Sequence, residues 1–129
     1  MKRMLAMAAA MMVSATAAMA ADPAEGVWKT EVDDGSYAHI KISMCGSNVC
    51  GVIHRTFNGS GEYQSPNKGK TLVRNMKPEG GGYYSGKVWR PSNDKIYVGK
   101  MQLNGNKLQL KGCVAGGLLC SSQTWTRVN

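Results

Sequence analysis

The chain has 129 residues, 16 Lys and Arg against 8 Asp and Glu, a formal net charge of +8 and four cysteines. That length accommodates one domain with a single modest core. After residue 20 no stretch is apolar enough to span a bilayer, and the scattered basic residues form no nucleic-acid motif, so those two classes fall away.

The first element is a leader. Lys2 and Arg3 precede an apolar run over 4–19, and Ala18-Met19-Ala20 has the small-x-small pattern read by signal peptidase. The run is about 16 residues, short of the roughly 20 that a membrane anchor needs. The reading is a signal peptide over 1–20, cleaved after Ala20, and a single domain over 21–129 that is periplasmic or secreted. Loss of Lys2 and Arg3 takes the net charge from +8 to +6. The remaining bases read as a solvated surface or, alternatively, as an attraction to an anionic partner.

Export to an oxidising compartment makes the four cysteines two disulfides. Three pairings are compatible with the count, and the local one, Cys45–Cys50 with Cys113–Cys120, is expected. The C-x4-C and C-x6-C spacings differ from the C-x2-C of zinc knuckles, and no thioredoxin-like C-x-x-C is present.

Period-2 alternation then predicts eight strands, over 26–32, 37–45, 50–57, 70–76, 83–90, 95–103, 106–113 and 119–128. The connections carry turn residues: Asp33-Asp34-Gly35, Gly46-Ser47-Asn48, Pro91-Ser92-Asn93-Asp94 and Asn104-Gly105. The Gly-, Ser-, Asn- and Pro-rich segment 58–69 reads as the one long loop, with room for a short helical turn.

Registers follow from the turns. If Cys45 faces Cys50, Ile42 faces Ile53 and Met44 faces Gly51. If Asn104-Gly105 is the turn, Met101 faces Leu108 and Gly99 faces Leu110. If Cys113 faces Cys120, Leu108 faces Trp125 and Leu110 faces Gln123. One inward set satisfies all three, and both cystines fall outside. A meander of eight antiparallel strands hides its edges by closing, so the expected fold is an all-β up-and-down barrel, with an open sandwich as the alternative. Closure makes the first and last strands neighbours, so Trp28 meets Arg127 at one end in a cation–π contact.

Gly26-Val27-Trp28 on the first strand and Arg127 on the last resemble the pattern of the calycin superfamily of lipocalins, fatty-acid-binding proteins and avidins. A resemblance over almost the whole of 21–129 is more specific. "GVWKTEVDDGSYAHIKISMCGSNVCGVI", "SGKVWRPSNDKIYVGKMQLNGNKLQLKGC" and "LLCSSQTWTRV" look like domain of unknown function 2147, a family of small exported bacterial proteins. That resemblance implies a lipocalin-like barrel and an exported location, and it implies no activity. Arg90 stands where the family usually has an acid or amide before the proline, and Ser121 where a basic residue usually follows the cysteine.

Catalysis needs a nucleophile with a base, paired carboxylates or a metal. The acids sit mostly in turns, and His39 and His54 share an outer face beside Lys41, which would repel a cation. No enzyme, no metal and no cofactor are therefore expected. The inward set is apolar with a few polar groups, as a ligand pocket is. A small apolar or amphipathic ligand is expected along Ile42, Ile53, Tyr97, Met101, Leu108 and Gln123, with Arg55 pairing an anionic head group. The inward glycines either leave space or are filled by neighbours. The alternative is an envelope interaction module with a protein partner, docking on an outward patch of Trp89, Ile96 and Val98, unless the 58–75 connection packs over it.

Overall fold

Alternating side chains with glycine at the reversals give short strands that pair with their chain neighbours. The computed structural model describes residues 21–129, so the expected signal peptide over 1–20 lies outside the described residues. The strands are β1 (Gly26–Lys29), β2 (Tyr37–Cys45), β3 (Asn48–Asn58), β4 (Gly61–Tyr63), β5 (Thr71–Gly80), β6 (Tyr83–Arg90), β7 (Lys95–Asn104), β8 (Lys107–Val114) and β9 (Leu119–Arg127). A 3-10 turn over Ala115–Gly117 joins the last two. Every pairing is antiparallel, β1 joins β9, and β2 pairs both β1 and β3, so eight strands close into a barrel. The expected architecture is the observed one. The segment expected as an open loop contributes β4, which extends β3 outside the ring.

Two expected registers need correction. Asn104 pairs with Lys107 and Cys45 with Asn48, so Met101 faces Leu110 and Ile42 faces Gly51, each two residues from the expected partner. The cause is turn chemistry. Positive φ falls on the first central residue of each two-residue turn, Gly46 (72°) and Gly105 (63°), as a type II′ turn requires. A shift of two leaves every side chain on its face, which is why the inward set survives. The β6–β7 and β8–β9 registers agree with expectation, with Trp89 opposite Ile96 and Cys113 opposite Cys120. Both disulfides have the local pairing, Cys45–Cys50 and Cys113–Cys120.

One half of the barrel is solid. Trp28, Ile40, Ile42, Met76, Met101 and Leu108 are buried there. The inward glycines are filled by neighbours rather than left as space. A Cβ on Gly99 would lie 2.6 Å from the Met76 and Val88 side chains, and one on Gly86 would lie 2.5 Å from the Asn75 carbonyl oxygen.

Trp28 and Arg127 are cross-strand partners, with the guanidinium 4.3 Å above the indole. The indole N–H donates to the Ala24 carbonyl at 2.9 Å, and Arg127 donates to the Pro23 and Glu25 carbonyls at 2.8 and 2.9 Å. Residues 22–25 are thereby folded over the closed end, with Ala24 wholly buried. The Tyr84 hydroxyl donates to Asp22 Oδ1 at 2.5 Å, and burial, with that bond, pushes the phenol above its usual range. Gly26 (φ +137°) has no room for a side chain, since its Cβ would meet the Asn129 carbonyl oxygen at 2.6 Å and the Arg127 guanidinium at 2.7 Å.

In urea titrations Trp28→Ala should cost about 3 kcal/mol or more, as large aromatic truncations in cores do. Arg127→Met should cost less, and the pair should cost less than the sum, because each loses a partner it shares with the other. Peptide mapping without reduction should recover each cystine within its own hairpin. Reduction should lower Tm yet leave the fold, since loops closed by separations of 5 and 7 residues constrain the unfolded chain little.

Candidate ligand-binding cavity

The other half of the barrel opens into a cavity of about 520 Å³, within the range of small-molecule pockets. Its walls are Ile53, Leu72, Val88, Leu110 and Trp125, and its rim carries Thr30, Ser36, Tyr97 and Gln123. The Gln123 carbonyl oxygen accepts from the Trp125 indole at 2.9 Å and from the Glu31 amide at 3.3 Å. That fixes the side chain and leaves its NH2 group without a partner among the described residues. The Tyr97 hydroxyl accepts from Asn93 Nδ2 at 2.7 Å. Ile53, Tyr97 and Gln123 line the cavity. Ile42, Met101 and Leu108 do not line it. They lie in the packed half, where neighbouring strands leave no void.

Arg55 requires a larger correction. His39 pairs with Arg55 but Ile40 pairs with Ile53, so His54 is the extra residue of a β-bulge. Beyond the bulge the alternation inverts. Thr56 takes the inward place at 5% exposure, and Arg55 points out. Its guanidinium forks onto Glu62, donating from Nε at 2.8 Å and from Nη2 at 2.5 Å, over the Phe57 ring. The hydrogen bond from Arg55, with its charge, holds the Glu62 carboxyl below its usual range. The signal for this was only the acid seven residues on, in a segment expected to be unpaired. Thr56 has a positional role: its hydroxyl donates to the Tyr63 carbonyl at 2.5 Å and accepts from the Ser65 amide at 3.3 Å, anchoring the segment beside the mouth.

Two further charges meet at the rim, where Arg90 forks onto Asp33 at 3.0 and 2.7 Å, tying the end of β6 to the β1–β2 connection. Both residues line the cavity, and the Arg90 bond holds the Asp33 carboxyl below its usual range. Trp89 is not part of an open outer patch. It is 7% exposed, donates to Asp94 Oδ1 at 2.8 Å, and lies under the Lys70 ammonium and Arg74 guanidinium at 5.6 and 5.8 Å. The 58–75 connection covers it, and Ile96 and Val98 stay exposed. Of the histidines, His39 packs on Phe57 and His54 is exposed on the bulge. Burial first, then the Arg55 and Lys29 charges, lower the His39 pKa.

The chain belongs to the family described as "Uncharacterized protein conserved in bacteria (DUF2147)", whose profile matches residues 26–127. No curated protein matches it. Among solved structures it is similar to protein HP1028 from the human pathogen Helicobacter pylori, which belongs to the lipocalin family. The TM-score is 0.63 at 15% identity, over 81% of this chain and 82% of that one. The barrel is thus lipocalin-like in fold.

The Asp33 carboxyl should titrate below its ordinary value in a carbon-detected NMR experiment and return to it in Arg90→Met. Because its folded pKa is depressed, the pair's contribution is complete above the unfolded value, near 3.9 for Asp, and is lost as pH falls through the folded one.

Proposed function

We propose that this chain is a binding protein rather than an enzyme, holding an uncharged apolar or weakly amphipathic small molecule in its mouth cavity. The observation that carries the reading is the charge distribution around that cavity. Its walls are aliphatic and indole, its rim offers the Gln123 amide and the Tyr97 hydroxyl, and its charged lining among the described residues is the Asp33–Arg90 pair with the Glu31 and Asp34 carboxylates and no lysine. With Arg55 committed to Glu62 outside, a carboxylate entering the cavity meets no unpaired cation and would lose its hydration without compensation. An alcohol, amide or ester head group suits the rim instead.

We place the protein outside the cytoplasm, in the periplasm or secreted. Two disulfides support that, and no helix of the described residues is long and apolar enough to cross a membrane.

Titrating a medium-chain alcohol and the matching fatty acid into the protein, with indole fluorescence and calorimetry as readouts, decides the reading. Trp89 and Trp125 line the cavity and report occupancy. The alcohol should bind more tightly than the acid, and Arg55→Met should leave both unchanged. Gln123→Ala should weaken the alcohol by about 0.5–1.5 kcal/mol, the net worth of one neutral hydrogen bond. Failure of both ligands to bind would overturn the cavity reading, and tighter binding of the acid would overturn the uncharged ligand class.

A further inference from the structure

A second surface lies on the outer wall, goes beyond the cavity reading and does not depend on it. One transverse row of the sheet pairs Lys77 with Ser85, Ser85 with Lys100, Lys100 with Lys111, and Lys111 with Ser122. Lys100 and Lys111 are therefore directly opposed across an antiparallel pair, and like charges so placed destabilise a sheet unless something anionic stands over them. Lys87 follows in the next row towards the mouth, opposite Arg74. Among the described residues the ion pairs are Arg55–Glu62 and Arg90–Asp33, and neither reaches these lysines. Glu79 is the one carboxylate on β5 to β8, and it accepts from the Ser85 hydroxyl instead.

Beside this basic band, the β8–β9 tip projects apolar side chains at the mouth end. Leu118 is 85% exposed, Leu119 66% and Val114 46%. The tip is held from behind by the Cys113–Cys120 cystine. The carboxylates at this end are mostly committed: Glu31 accepts from the Thr124 amide, Asp33 pairs with Arg90 and Asp94 accepts from Trp89, leaving Asp34. Leu119 pairs with Val114, and Lys111 is three residues behind it, about 10 Å at 3.3 Å per strand residue. That spacing matches the roughly 5–10 Å to which apolar elements enter the boundary between head groups and acyl chains. With the tip at that depth, the lysine band lies level with the phosphates.

We infer that the β8–β9 tip and the Lys87–Lys100–Lys111 band dock the barrel onto an anionic phospholipid surface, apolar tip inserted and mouth end towards the lipid. The chemistry selects this occupant over a protein groove. The apolar part is a protruding tip and not a face, and the cations lie in a band set one head-group depth behind it.

The test is partition of the full-length gene product, purified as the cell leaves it with its N-terminus recorded by mass spectrometry, onto vesicles. Phosphatidylcholine alone is compared with phosphatidylcholine containing phosphatidylglycerol. The wild type should partition at least tenfold more strongly onto the anionic vesicles and lose that preference in high salt. Lys100→Glu with Lys111→Glu should lose tenfold or more, since one lysine at an anionic surface is worth roughly fivefold. Leu118→Ser with Leu119→Ser should lose binding with Tm unchanged, because both side chains are exposed. Lys41→Glu with Lys68→Glu makes the same charge change beside a separate hollow on the β2–β3 wall and should retain most of the binding. An equal loss in that control would reduce the effect to net charge and overturn the docking face. So would wild-type partition that ignores phosphatidylglycerol, or that is unmoved by the tip substitutions.

Discussion

The closed end carries the rest of the molecule. A meander of eight short strands loses its open edges when its first and last strands find each other, and here they do so through a four-residue β1. So small a seam is reinforced by side chains. Arg127 covers the Trp28 indole and ties down the carbonyls of Pro23 and Glu25, while the indole N–H holds Ala24. One guanidinium thus closes the barrel, caps its base and satisfies backbone groups that burial would otherwise leave unpaired. Gly26 is the condition for this, because any side chain there would collide with the same guanidinium.

Once closed, the barrel divides its interior unequally. In the packed half, Met76, Val88 and the β5 backbone press against Gly99 and Gly86. Towards the mouth the walls lean on Trp125, Leu110 and Ile53 and leave a cavity. The same alternation that makes one half solid makes the other hollow. The difference lies in how closely neighbouring strands crowd the interior, which curvature and bulges set.

Charge is sorted with equal consistency. Arg55 and Arg90 each find a carboxylate at the surface, and Lys87, Lys100 and Lys111 lie on the outer face of β6 to β8. A cavity with no lysine in its lining among the described residues suits the uncharged guest proposed for it, and the outer lysines suit the anionic surface proposed for them. These two tendencies are compatible in a protein that would take its ligand up at lipid.

Much of this was legible in the residues. Alternation with turn glycines determined eight antiparallel strands and their inward faces, and the places of Trp28 and Arg127 on the first and last strands determined the seam. The faces survived even where the turns moved two registers, because a shift of two preserves parity. The inward faces of Ile53, Tyr97 and Gln123 were legible but depth was not: Ile42, Met101 and Leu108 face inward equally, and only tertiary packing puts them in solid core. The placement of Arg55 was decided by tertiary structure alone. One extra residue, His54, inverts the alternation, and nothing local distinguishes a bulged residue from a paired one until the facing strand supplies the count. Trp89 was decided the same way, by the Lys70 and Arg74 cations that the start of β5 brings over its ring. Period and parity are local properties of a chain, whereas depth, bulges and what covers a face depend on the distance between segments far apart in sequence.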